Sequence, residues 1–193
     1  MIVSNVPNLV LASTSPRRRE LLTLAGFQFT VRAHPVEEVR SAGEDPRDYV
    51  TRLAQAKAEA SYQDETEIVL GADTTVVLGT QVLEKPHHTA SAKAMLRALS
   101  CREHVVLTGI CLKHRGRSIV DCESTRVSFV ALDEREIDDY VASGEPMDKA
   151  GAYAIQGLAS KFVDRIEGCY FNVMGLPLAL VYKHLKAISE SLR

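Results

Sequence analysis

The stretch "NLVLASTSPRRRELLTLAG", residues 8–26, decides how the chain is read. Leu9 to Ala12 form a short apolar run with the look of a buried strand, and the leucines that follow recur at helical spacing. Between them, Ser15 suits a helix N-cap, and Pro16 suits the first helical position, where its missing N–H does no harm. Leu21, Leu22 and Ala25 supply the predicted buried stripe, and Gly26 the stop. Strand, tight turn and helix in that order open an α/β fold. They also leave Arg17, Arg18 and Arg19 in the first helical turn, which already carries partial positive charge. A cation there is misplaced by roughly 0.3–1 kcal/mol per side chain. The pattern asks for a negative partner.

Working outward, the whole chain has 193 residues, 46% hydrophobic and 25% charged, with a formal net charge of −2. That is a globular composition with length for one core, read here as one domain over residues 1–193 built in two lobes. The near-neutral charge argues against coating nucleic acid or an anionic membrane. No apolar run approaches the roughly 18 residues of a membrane span. The opening "MIVSNVPN" lacks the basic start and apolar segment of a signal peptide, so a cytosolic chain is expected. Cys101, Cys111, Cys122 and Cys169 show no C-x-x-C pair and are expected to be reduced, mostly buried thiols. His87 and His88 are adjacent rather than at i, i+4 spacing, which speaks against zinc.

Strands are predicted at Phe27–Arg32, Glu67–Leu78, His104–His114 and Ser118–Leu132. The last two form a hairpin through Arg115-Gly116-Arg117. Helices are predicted from Asp45-Pro46, from Thr89, from Asp133 with Glu136 as its capping-box partner, and from about Pro177. The class is α/β: a mixed twisted sheet with flanking helices. Residues 145–175 are rich in glycine and read as loop with short strands, the kind of segment that carries function.

A strand, a small-residue turn and a helix N-terminus make a ready anion site. Ser13, Thr14 and Ser15 add hydroxyls, and arginine adds a forked donor that matches phosphate oxygens. Arg17 and Arg18 are the better candidates, because one of three consecutive helical residues must point away. In "GADTTVVL", Asp73 reads as ending an apolar strand beside a glycine, at a sheet edge, with Thr74 and Thr75 next to it, a combination suited to a metal or general-base role near phosphate. Lys57 lies in an alanine-rich helix, and Lys85 precedes Pro86 at the exit of a strand. Glu37 and Glu38 offer a second carboxylate, and nothing local says which faces inward. The motifs G-x-x-x-x-G-K-[ST], G-x-G-x-x-G, H-E-x-x-H and G-x-S-x-G are all absent from the sequence. A metal-assisted hydrolase of phosphoanhydrides is the most economical reading.

"LASTSPRRRELL" resembles the S-x-S-P-R-R signature of the Maf family of nucleoside triphosphate pyrophosphatases. "GADTTV", "LEKP", "ESTRVSF" and "SGEPMDKAGAYAIQG" follow in the family's order, so the resemblance runs from Leu9 to about Leu185. It implies a two-lobed fold with a central cleft, related to inosine triphosphate pyrophosphatase-like folds and often a homodimer. It implies cleavage of a nucleoside triphosphate to monophosphate and pyrophosphate with a divalent metal cation, Mg²⁺ or Mn²⁺. By matched position, Asp73 resembles the acid that accepts a proton from the attacking water. Ser13, Ser15, Arg17, Arg18, Lys57 and Lys85 resemble the shell around the triphosphate, and Glu38 with Asp73 the metal-holding acids. A carboxylate already ionised at neutral pH serves as base where a metal makes the water more acidic.

"KAGAYAIQG" is similar to the subgroup acting on dTTP and UTP, in which Arg18, Thr74 and Gln156 match positions tied to specificity. The subgroup acting on 7-methyl-GTP usually has a Glu near the Gln156 position. A neutral amide offers donor and acceptor to a pyrimidine edge, whereas a carboxylate suits the N–H groups of guanine. The expected function is a dTTP/UTP pyrophosphatase that clears modified pyrimidine nucleotides. The alternatives are a 7-methyl-GTP pyrophosphatase and a nucleotide-binding regulator of septum formation with little turnover.

Overall fold

A computed structural model describes residues 8–191. The "MIVSNVP" part of the N-terminal reading lies outside them. In chain order the elements are β1 (Leu9–Leu11), α1 (Pro16–Leu24), β2 (Thr30–Val31), α2 (Pro46–Ser61), β3 (Ile68–Leu78), β4 (Gln81–Leu83), α3 (Thr89–Leu99), β5 (Glu103–His114), β6 (Arg117–Phe129), α4 (Glu134–Ala142), β7 (Val163–Glu167), α5 (Tyr170–Val173) and α6 (Leu178–Ser191). Seven strands form one mixed sheet in the order β2-β1-β3-β5-β6-β7, with β4 paired to β3. β1 runs parallel to both β2 and β3, while β4 and β7 pair antiparallel.

The chain divides into two compact units. The first holds residues 8–73, 108–123 and 175–191 of the described chain, and the second residues 74–107 and 124–174. The divisions fall inside β3, β5 and β6.

Most predicted elements stand where the sequence put them. Asp45 caps α2 by accepting from the Arg47 N–H at 2.8 Å, and Asp133 and Glu136 form their capping box at α4. The hairpin turn is two residues rather than three: Arg115 and Gly116 both have positive φ, as an I′ turn requires, and Arg117 begins β6. The strand expected over Phe27–Arg32 pairs only at Thr30 and Val31. It is an edge strand whose one neighbour, β1, has three residues, so the ladder ends after two pairs. Ala25 is exposed rather than buried, because it is the C-cap and the chain turns away at Gly26. Cys111 and Cys122 are buried and their thiols are pushed up to about 11 by burial, but Cys169 is half-buried and Cys101 exposed. All four are free. No described helix is long and apolar enough to cross a membrane.

In the first unit, α2 lies directly on the sheet. A Cβ on Gly71 would come within 2.1 Å of the Ala54 carbonyl oxygen, and one on Gly109 within 2.4 Å of the Val50 carbonyl oxygen. Only glycine permits that approach. Val10, Ala12, Ala54, Ala58, Val69 and Cys111 close the buried layer between them.

In the second unit, α3 packs against α4, with Leu96, Leu99, Ile137, Tyr140 and Phe162 buried. The His88 side chain caps α3, its Nδ1 accepting from the Ser91 N–H at 3.1 Å. Residues 145–175 hold three short 3-10 turns in addition to β7 and α5.

Candidate active site

The close contact at Gly71 builds the site. Asp73 does not end its strand as expected but lies inside β3, which continues to Leu78 because Thr75 to Leu78 stay buried and Val76 to Leu78 pair with β4. Side chains alternate along a strand, so Gly71 and Asp73 share the face of β3 that meets α2. Lys57 lies three residues beyond Ala54 on α2, one helical turn along. Its Nζ reaches Asp73 Oδ1 at 2.6 Å and Glu38 Oε1 at 2.6 Å. One ammonium therefore holds two carboxylates. The side chains of Lys57 and Asp73 are each 13% exposed, while that of Glu38 is 46% exposed, so the cluster opens to solvent on the Glu38 side. Glu38 thus faces Lys57; Arg52 pairs with Glu44, and Glu37 adds only a weaker, more distant charge there.

The arginine run resolves by helical geometry. The inward stripe of α1 is Arg18, Leu21 and Leu22, at i, i+3 and i+4, whereas Arg17 is half-buried and Arg19 exposed. Arg18 Nε donates to the Gly175 carbonyl at 2.9 Å, and its NH1 donates to the Ala72 carbonyl at 2.9 Å and to Ser13 Oγ at 3.2 Å. Burial lowers the pKa of this guanidinium, Asp73 and Glu38 oppose that, and Arg17 adds to it. Arg18 remains charged, since arginine is not deprotonated in proteins. It thus lies within the field of both carboxylates and bonds the residue preceding Asp73. The Ser15 N–H donates to Ser13 Oγ at 3.2 Å, and the Ser15 side chain makes no capping bond to the first turn of α1.

Ser13, Arg18, Glu38, Lys57 and Asp73 are therefore drawn together in the first unit, with Arg17 and Ser15 adjoining. Thr74, Lys85 and Gln156 belong to the second unit. Thr74 is half-buried on β3, Lys85 is exposed two residues after β4, and Gln156 is exposed in the loop before the last 3-10 turn.

Residues 8–188 match the family described as Maf-like protein. The chain belongs to the Maf family. Its curated relatives include proteins named dTTP/UTP pyrophosphatase from several bacteria. That of Koribacter versatilis is 51% identical over 92% of this chain and 93% of its own length. That of Photorhabdus laumondii is 52% identical over 88% of each. That of Vibrio cholerae is 51% identical over 90% of this chain and 94% of its own. A solved structure titled nucleoside-triphosphatase / dITP/XTP pyrophosphatase, from Mycobacterium abscessus, aligns at a TM-score of 0.41 and 16% identity over 64% of this chain and 73% of that one, too slight a likeness to carry an argument.

The donor chemistry of this Maf chain fits a divalent cation. Glu38 and Asp73 place two hard carboxylate oxygens around one point now filled by positive charge. Mg²⁺ is held by one or two carboxylates and takes its remaining oxygens from phosphates and water. Among the described residues no group of three or more His, Cys, Asp or Glu forms a complete metal cage.

Sequence reasoning missed the residues that place these groups. Gly71 carried a signal, a glycine inside an apolar strand, which marks a close backbone approach.

Proposed function

We propose that this Maf chain hydrolyses the bond between the α- and β-phosphates of a nucleoside triphosphate, releasing the monophosphate and pyrophosphate, with dTTP and UTP preferred. The carboxylate–ammonium–carboxylate cluster of Glu38, Lys57 and Asp73 carries this reading, in a chain whose curated relatives bear that activity in their name. Arg17 and the first turn of α1, with the Ser13 and Ser15 hydroxyls, bind the phosphate chain. Lys85 adds a further cation to that shell. Arg18 holds the middle of β3 through Ala72 and adds its charge close to Asp73 and Glu38. Asp73 accepts the proton of the attacking water, and Lys57 compensates negative charge as the bond to the leaving pyrophosphate breaks. A divalent cation held by Glu38 and Asp73 would supply the lowered water pKa and neutralise phosphate charge. Thr74 and Gln156 select the base, Gln156 by offering an amide donor and acceptor to a pyrimidine edge. A homodimer, which the family resemblance implies, and a cytosolic location belong to the same proposal.

The test is pyrophosphate release from a panel of dTTP, UTP, dCTP, dGTP and 7-methyl-GTP with Mg²⁺ or Mn²⁺. Turnover greatest with dTTP and UTP is expected. Nucleotide binding without release would favour the regulatory alternative, and preference for 7-methyl-GTP the other subgroup.

A further inference from the structure

The second unit contains a side-chain arrangement outside this machinery. Glu145 begins the 3-10 turn that follows α4. Its Oε1 accepts from the Tyr140 hydroxyl at 3.0 Å, and its Oε2 accepts from the backbone N–H of Leu158 at 3.1 Å. The Tyr140 oxygen in turn accepts from the backbone N–H of Ala154 at 3.3 Å. Burial first, and then the Glu145 charge, pushes the Tyr140 pKa up, so its hydroxyl stays protonated and donates. Lys149 Nζ holds the carbonyl of Glu145 itself at 2.7 Å. The carboxylate also lies against Gly157, where a Cβ would come within 2.8 Å of both oxygens and where φ is +143°.

Two backbone anchors at Ala154 and Leu158 thus converge on one Tyr–Glu pair. Between them the chain exposes Gln156, and Leu158 is 56% exposed beside it. An exposed apolar side chain next to an amide is poor core material and suits the face and edge of a planar heterocycle. An amide discriminates between bases only while its donor and acceptor directions are held, and a side chain on a loop is held by what fixes the loop.

We infer that Glu145, acting with Tyr140, is a positioning residue for nucleobase selection: its carboxylate clamps the 154–158 backbone and so fixes the pose in which Gln156 meets a pyrimidine. This inference rests on the reading in which Gln156 contacts the base. The groups assigned to the reacting phosphate in that reading, Asp73 and Lys57, belong to the first unit, so loosening the clamp costs discrimination and KM rather than kcat.

The experiment uses the whole chain with Glu145→Ala, Glu145→Gln, Gln156→Ala and the Glu145→Ala/Gln156→Ala double variant. Steady-state constants for dTTP, UTP, dCTP and dGTP are measured beside melting temperature and amide hydrogen exchange over residues 154–158. Glu145→Ala is expected to lower the preference for dTTP over dGTP by about tenfold, mainly through KM, and to speed exchange at the Leu158 amide. Glu145→Gln keeps one carbonyl acceptor for that amide and should restore part of the preference. In the Gln156→Ala background the effect of Glu145→Ala on preference should vanish, since residues acting through one another are not additive. Equal loss in both backgrounds, or a lowered melting temperature with an unchanged nucleotide ranking, overturns the clamp while leaving Gln156 as base reader. An unchanged ranking in Gln156→Ala alone overturns base reading by Gln156, and the clamp's role in selection with it.

Discussion

Lys57 Nζ and Asp73 Oδ1 stand 2.6 Å apart, joined across the contact that Gly71 allows between α2 and β3. The pair is half of a bridge whose other end is Glu38. Replacing Asp73 with Asn keeps the shape, removes the base, and leaves Lys57 a single carboxylate. Turnover is expected to fall by about 10²–10⁴-fold with nucleotide affinity largely kept. Single-turnover rates beside equilibrium nucleotide binding check this, and an unchanged rate removes Asp73 from the chemistry.

Gly71→Ala tests how the site is built. The new methyl meets the Ala54 carbonyl and also lies 2.8 Å from the Ala58 backbone nitrogen, so no side chain can turn aside to admit it. Overpacking against backbone costs about 3 kcal/mol. Urea denaturation should show a loss of that order. Activity should fall even at temperatures where the variant stays folded, because α2 carries Lys57.

The metal reading separates two adjacent acids. Glu38 shares Lys57 with Asp73, whereas Glu37 is felt only as a more distant charge at Arg52, whose partner is Glu44. Direct titration with Mn²⁺, followed by its electron spin resonance signal, should show affinity weakened about tenfold or more by Glu38→Gln, in line with losses seen when metal-site groups are altered. Glu37→Gln should bind as the parent chain does. Chelation should abolish turnover, and added Mg²⁺ or Mn²⁺ should restore it.

Acid stability rests partly on His104. This ring is buried between Phe129 and Tyr153, with Nε2 2.8 Å from the Tyr153 hydroxyl, and burial lowers its pKa from 6.5 to about 4. The folded state therefore keeps the ring neutral while the unfolded chain takes up a proton near pH 6.5. The stabilisation is complete above pH 6.5 and is lost as pH falls through about 4. Its size is about 3 kcal/mol. Denaturation midpoints measured from pH 7 to pH 4 should decline in the parent chain. They should decline less in His104→Gln, which keeps a hydrogen-bonding group and does not titrate.

Much of the fold was legible locally. Asp45-Pro46, Asp133 with Glu136, and Arg115-Gly116 announce their elements because capping and turn formation are satisfied within a few residues. The short reach of β2 was not legible, since a strand's length depends on the neighbour it pairs with, and β1 offers only three residues. Among the arginines, helical geometry required that one point away. Which carbonyls would receive Arg18 depended on Gly175, distant by 157 positions.

The order of motifs, the helix ends and the family were settled by the sequence by itself, because each is written in consecutive residues or in patterns of fixed spacing. The sequence likewise supplied every member of the acidic and basic cluster. Only the tertiary structure decided that Glu38 rather than Glu37 meets Lys57, that Arg18 is spent on main-chain carbonyls, and that Glu145 grips the loop bearing Gln156. Each of those outcomes turns on a contact between segments that no local pattern brings together, so it is fixed only when the folded chain sets them side by side.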